Sequence, residues 1–436
     1  MKKSITLVLT FIFAAYSAIF PVFAIVPGED TAPASFSYGQ LQEMYLDYLS
    51  DQQISLAVGT PAYYQYAQTQ IYDNTNPVLK SHPFYSQIRS YLIEYSALYQ
   101  DYLYANSALQ KDVATGEQLI AQFSADNPCL QYSFSAKKLT FTLSDSFLNK
   151  TLAQSKAENE VRYALSDQFL AQNTSTTASA NYTYNPSNAI SYARQYAIHY
   201  NASYPDLRLN GGDCTNFASQ CLYAGGIPMV GSNNTTGTHA STTQWYCQIT
   251  GTDIGNLHTF SRSTSWVRVT DFSTYMRGRA VQWRIVGTLD ELVAQCQPGD
   301  IIQLMEKNGG RIYHSTIITS KNASTACYCA HSDPRLDASV RTHFDETVDS
   351  FVILSFRALP SSSGVSLDTC EPCDDQIPST TSVEFQNASL DRVVECPNHN
   401  GAHDAEKYIY TYNIVCTRHG TVVGTKSQTV YICLPE

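Results

Sequence analysis

The chain predicts an α+β fold in three parts: a helix-rich N-terminal domain, a mixed middle domain that holds the chemistry, and a small β module at the end. Three observations predict it. Apolar residues recur at helical spacing through the first third, strand-like runs alternate with helices between about 183 and 359, and polar, aperiodic stretches separate the parts. At 436 residues the chain is long enough for two or three cores. With 43% hydrophobic and 15% charged residues it is globular, which excludes a disordered chain. Its formal net charge of -11 offers no basic surface for nucleic acid and no attraction to anionic lipid.

Residues 1–24 read as a signal peptide. Lys2 and Lys3 precede an apolar run from Ile5 to about Phe20, and Val22-Phe23-Ala24 follows the helix-breaking Pro21. The reading predicts a secreted protein, extracellular or wall-associated, with no membrane contact after cleavage. Outside the cytosol the 12 cysteines invite disulfides, although they are scattered and a chain this size does not need staples.

Residues 25–172 form the helix-rich part. Leu41, Met44, Tyr45, Tyr48 and Leu49 keep helical spacing, as do Ile88, Tyr91, Leu92, Tyr95, Leu98 and Tyr99. The stretch YSFSAKKLTFTL alternates as a hairpin does, and a last helix is expected from about Asp145 to Leu170. No reactive constellation occurs here, so its expected role is placement or substrate contact. The 31 tyrosines suit wet surfaces and binding clefts, because each ring joins an apolar face to a hydrogen-bonding tip. Residues 172–186 and 360–368 are polar linkers, which leaves 183–359 as the middle domain.

The middle domain opens its chemistry with NGGDCTNFASQCLYAGG, residues 210–226. Gly211 and Gly212 supply a turn and Asp213 suits a helix N-cap. Phe217, Ala218, Cys221 and Leu222 give an apolar face, and Gly225-Gly226 ends the helix. Cys214 then stands in the first helical turn, where backbone N–H groups and the helix dipole favour a thiolate and can receive an oxyanion. Cys221, two turns along, reads as packing. A structural Cys214, buried or disulfide-bonded, is the bland alternative.

Downstream, CQPGDIIQLMEKNGGRIYHSTIIT predicts a strand over Ile301–Met305, a turn at Asn308-Gly309-Gly310 and a return strand over Arg311–Thr319. His314 lies near the start of that return strand, where it can take a proton from a thiol on a helix packed against the sheet. A third group must orient it. His331 or Asp333, after a strand at Ala326–Ala330, fits that role, with His331 preferred because it sits at the strand itself. Trp245, Trp266 and Trp283 lie between nucleophile and base, and Trp266 reads as core.

The run GGDCTNFASQCLYAGGIPM, the preceding NPSNAISYARQYAIHY, the PGDIIQ turn and the YHSTIIT strand together resemble the "putative amidase domain" family, related to the NlpC/P60 group of papain-like cell-wall hydrolases. The resemblance covers about residues 183–359. It implies a papain-like fold and amide hydrolysis through a Cys thioester, with peptidoglycan stem peptides as the partner substrate and no cofactor for catalysis. It carries the catalytic roles to Cys214, His314 and His331. The spacing from His314 to His331 is longer than usual in that group, which leaves Asp333 as a substitute. A catalytically silent wall-binding or adhesion protein that keeps the fold is the alternative.

The tail, 369–436, holds Cys370 and Cys373, the knuckles Cys396-Pro-Asn-His399 and Cys416-Thr-Arg-His419, His403, and Cys433. Two C-x-x-H pairs suit a structural zinc, while export suits disulfides; both readings stand. A catalytic zinc is a third option, and chelators would test it.

Overall fold

A computed structural model describes residues 35–72, 76–173, 182–208, 212–253, 257–344, 349–357, 381–395, 404–416 and 421–433. The signal-peptide reading of residues 1–24 and the linker at 360–368 lie outside the described residues. Helix and sheet are mixed along the chain, as an α+β reading requires.

The N-terminal helices are α1 (Tyr38–Asp51), α2 (Pro61–Tyr72), α3 (Tyr85–Lys111), α4 (Val113–Ser124) and α5 (Leu152–Asn173). Local chemistry sets their ends. The Ser37 hydroxyl accepts from the Gln40 amide at 3.3 Å while Gln40 Oε1 accepts from the Ser37 amide at 2.9 Å, a reciprocal cap on α1. Asp112 caps α4 by accepting from the Thr115 amide at 2.8 Å. The expected hairpin is β1 (Leu130–Ser133) with β2 (Lys138–Phe141).

The middle part contains α6 (Pro186–Tyr196) and α7 (Cys214–Ala224), followed by a small sheet of β3 (Gly237–His239), β4 (Cys247–Thr252) and β5 (His258–Ser263). Then come α8 (Val269–Arg277), β6 (Gln282–Val286), α9 (Leu289–Gln295), β7 (Ile301–Glu306), β8 (Ile312–Lys321), β9 (Ala326–Ala330), β10 (Arg335–Ser339) and β11 (Asp349–Ser355). Six of these strands form one antiparallel sheet in the order β10-β9-β8-β7-β11-β6. The tail is an antiparallel meander of β12 (Thr381–Glu395), β13 (Asp404–Cys416) and β14 (Val422–Cys433). Of its expected ligands, Cys370, Cys373, Cys396, His399, His403 and His419 lie outside the described residues. The described residues contain no group of side chains arranged to hold a metal. Among them no helix is long and apolar enough to cross a membrane.

Period-two alternation divides the six-stranded sheet between two cores. Ile302, Leu304, Ile318, Phe351 and Ile353 pack with Tyr45, Tyr91 and Tyr95 of the N-terminal helices. Ile301, Ile317, Val352 and Leu354 pack with Phe217, Leu222 and Trp266 on the other face. The helix-rich part is therefore a cover for one face of the sheet and shares its core. Buried ion pairs pin it there: Arg311 Nε and Nη2 donate to Glu94 at 2.5 and 2.7 Å, and Arg268 donates to Asp101 at 2.7 and 3.0 Å. Each is a two-pronged guanidinium–carboxylate contact. Many of the tyrosines build the core. Tyr38, Tyr45, Tyr63, Tyr91 and Tyr95 are buried; the Tyr63 and Tyr91 hydroxyls meet at 3.0 Å and Tyr38 donates to Ser155 at 2.8 Å, while the Tyr45 hydroxyl has no partner.

Candidate active site

The start of α7 is set by close approach. Gly212 has φ +87, and a Cβ there would stand 3.0 Å from Ser332 Oγ and 3.6 Å from Gln68 Oε1. That backbone region favours glycine. Asp213 occupies the N-cap position, yet its carboxylate makes no capping bond. The Ser332 hydroxyl does this instead, accepting the backbone N–H of Asp213 at 2.8 Å and of Cys214 at 3.1 Å.

The Asp213 carboxylate turns inward. Oδ1 accepts from Asn216 Nδ2 at 2.8 Å and from the Leu207 amide at 3.2 Å, while Oδ2 lies 2.6 Å from His331 Nδ1. Asn216 Oδ1 accepts from the Trp266 indole at 2.9 Å. His331 stacks on Phe217 with centroids 4.0 Å apart, and its Nε2 is 2.8 Å from the Tyr196 carbonyl. A carbonyl only accepts, so Nε2 carries a proton. Asp213, Asn216, Trp266 and His331 are all buried. They brace α7 against the loop after β9, and such a network is costly to break.

Cys214 lies where β9 has run out. The β8–β9 ladder stops at Ile317 opposite Cys329, and the Ser315 amide, beyond that point, lies near enough to the Cys214 thiol to favour its ionised form. Thr215 Oγ1 is 3.7 Å from the sulfur, and the Ser332 hydroxyl also reaches it. The thiol thus rests against the backbone of the residue that follows His314. Across β7 and β8, His314 pairs with Leu304 and Ser315 with Gln303, so the imidazole is on the N-terminal helices' face and the Ser315 hydroxyl faces α7. From α2, Tyr72 covers this edge. Its ring lies 4.8 Å from the His314 ring, its hydroxyl donates to the Tyr313 carbonyl at 3.3 Å, and the Cys214 sulfur is close enough to influence its ionisation.

Burial governs the electrostatics. Cys214 is 6% exposed and His314 5%. Desolvation pushes the thiol pKa up, opposed by the Ser315 amide and the Thr215 hydroxyl and helped by the Asp213 charge. The expected lowering by the helix terminus is overridden here, because removal from water costs the thiolate more than the local dipoles return. Desolvation likewise pulls His314 down to about 3, with Arg89 and Arg335 adding repulsion. At neutral pH the resting pair is a thiol and a neutral imidazole.

Of the sequence-predicted residues, Cys214 starts α7 and His314 lies on β8 with its ring against Tyr72, and among the described residues no hydrogen bond joins the sulfur to the imidazole. His331 stands elsewhere, both ring nitrogens engaged by Asp213 and Tyr196, and Asp333 pairs with Arg335. The buried Nδ1 of His314 has no hydrogen-bond partner. The expected orienting contact from His331 or Asp333 to His314 is therefore absent from this arrangement, because the Asp213 carboxylate competes for His331. Sequence reasoning also missed Tyr64, Gln68 and Tyr72. Their i, i+4, i+8 spacing marks one face of α2, but nothing in the sequence says what that face covers. With the loops at Gly212 and Ser332, α2 bounds a cavity of about 270 Å³ near the start of α7.

An uncharacterized protein of Bacillus subtilis (strain 168), YhbB, is 28% identical over 142 residues, which is 32% of this chain. The match spans 39% of that relative's length. No solved structure matches. Residues 183–354, which hold Cys214, His314 and the network around Asp213, match the family model described as "Putative amidase domain", a description that points to amide hydrolysis and so to a hydrolase.

Proposed function

We propose that the chain is a secreted cysteine amidase or peptidase that cleaves an amide bond of peptidoglycan stem peptides, related to the NlpC/P60 papain-like hydrolases. The observation that carries the reading is a buried Cys214 thiol at the first turn of α7, beside the backbone of the residue after His314, within the segment that matches a domain described as "Putative amidase domain". In the reaction, neutral His314 takes the thiol proton and the sulfur attacks the amide carbonyl. The Ser315 N–H, close to the thiol, is the candidate donor to the oxyanion. The C–N bond breaks as the imidazolium returns its proton to the leaving amine. Water, deprotonated by His314, hydrolyses the thioester and restores the thiol. No cofactor enters these steps. A zinc in the tail, if bound there, has a structural role.

The N-terminal pattern of residues 1–24 supports export, and the formal net charge of -11 argues against a nucleic-acid partner. Digestion of purified peptidoglycan by wild type and by Cys214→Ala, with mass analysis of the fragments, tests the proposal. New amino termini released by wild type alone support it and identify the bond. Equal release, or none from either, defeats it.

The depth of Cys214 favours a second reading, a catalytically silent wall-binding or adhesion protein. A thiol-reactive electrophile at neutral pH separates the two. Labelling that disappears in Cys214→Ala favours the enzyme, and an unreactive thiol favours the binder.

A further inference from the structure

Near the start of α7, a cavity of about 270 Å³ is lined by Gln68, Thr69 and Tyr72 of α2 and by Arg208, Gly212 and Ser332 across from them, with Cys214 and His314 behind its wall. It falls just below the roughly 300–1,000 Å³ of small-ligand pockets. Its charges are spent locally: Arg208 donates to Asp206 at 2.9 Å, and Asp333 at the rim pairs with Arg335. What remains facing the space is neutral: the Gln68 amide, and the hydroxyls of Thr69 and Tyr72, whose protons go to the Gln65 and Tyr313 carbonyls and which can still accept, and of Ser332, which accepts two backbone amides and can still donate. Such groups match the N–H and C=O groups of a peptide backbone better than a charged ligand. Two wall residues reach the reactive groups directly. Ser332 Oγ accepts from the Cys214 amide at 3.1 Å, and Tyr72 stands against His314 with ring centroids 4.8 Å apart. Half of the wall comes from α2, which lies outside the segment matching the amidase domain.

We propose that this cavity is the substrate subsite next to Cys214, that it takes a short uncharged peptide segment, and that Tyr72 is the gate between it and the Cys214–His314 pair. The proposal rests on the hydrolase reading for its substrate class, but its geometry is independent of turnover. Moving Tyr72 aside opens a path from the cavity to the sulfur and lets water reach both reactive groups. Desolvation is the first cause of both pKa shifts, so opening moves the thiol down and the imidazole up, toward a working nucleophile and base.

The test uses the full chain and two probes, chloroacetamide and the same chloroacetyl group on a neutral Ser-Ala-Ala amide, with labelling of Cys214 read by intact mass. One or two extra hydrogen bonds in the cavity make the peptide probe about ten-fold faster than chloroacetamide. Gln68→Trp, which fills the cavity, brings the two rates together. Tyr72→Ala, which removes the gate, raises both. Replacing the probe's central alanine by glutamate removes the preference. Equal rates in wild type, or a preference that survives Gln68→Trp with the fold intact by circular dichroism, overturns the proposal. If Gln68→Trp fails to fold, Tyr72→Ala decides: unchanged labelling overturns the gate, and faster labelling supports it. Peptidoglycan hydrolysis is read in parallel. A labelling preference without hydrolysis leaves the subsite standing and removes the hydrolase reading, and hydrolysis without a preference does the reverse.

Discussion

Replacing Asp213 separates a bracing network from a catalytic one. Its carboxylate receives Asn216 and the Leu207 amide on one oxygen and contacts His331 on the other, all buried. Asp213→Ala strands those three groups, two of them donors and one a histidine, and loss of a buried, charge-assisted partner costs about 3–5 kcal/mol. Asp213→Asn is different. His331 holds a proton on Nε2 for the Tyr196 carbonyl, so its Nδ1 can accept from an asparagine amide while the asparagine oxygen still serves Asn216 and Leu207. The asparagine variant therefore loses about 1–2 kcal/mol. Urea denaturation followed by circular dichroism measures both. A double-mutant cycle of Asp213→Ala with His331→Ala should give a coupling of about 1–3 kcal/mol, the range for residues in one network. Equal losses for alanine and asparagine, or a coupling near zero, refute the bracing assignment and return His331 to the role of orienting His314.

Two further perturbations follow from buried charge. His314 has a folded pKa of about 3 against an ordinary 6.5, so between those values the unfolded chain binds the extra proton. Its stability contribution is present above about 6.5 and is lost as pH falls toward 3; about 3 kcal/mol should be gone by pH 4. Thermal or urea unfolding of wild type and His314→Gln across that range measures it, and parallel pH profiles contradict it. Glu94→Ala leaves the Arg311 guanidinium buried without its two-pronged partner and should cost about 3–5 kcal/mol in urea unfolding. A loss below about 1 kcal/mol would mean that the ion pair is solvated and does not pin α3 to the sheet.

Much of the middle domain was legible because its signals are local. Asn308-Gly309-Gly310 marks the β7–β8 turn, the apolar spacing after Cys214 marks α7, and the run at Ala326–Ala330 is β9 as expected. Trp266 and Cys221 are core residues, again as their spacing suggested. What the sequence could not carry is partnership at long range. Asp213 looked like a cap because aspartate commonly caps, yet Ser332, 119 residues away, supplies the bond. The helix-terminus argument for a low thiol pKa fails here for the same reason, since α2 covers the site and desolvation outweighs the dipole. The abundance of tyrosine was visible, but only packing reveals that Tyr91 and Tyr95 build a core and Tyr72 covers a histidine.

The central claim is that the Cys214 thiol and the His314 imidazole act as one unit. The direct measurement compares release of new amino termini from peptidoglycan by wild type, Cys214→Ala, His314→Ala and the double variant. Groups that work as a unit lose nearly all of their effect with the first deletion, so each single variant should fall by roughly 10³ or more and the double variant no further. Activity that survives Cys214→Ala, or losses from the two sites that multiply, would contradict the account.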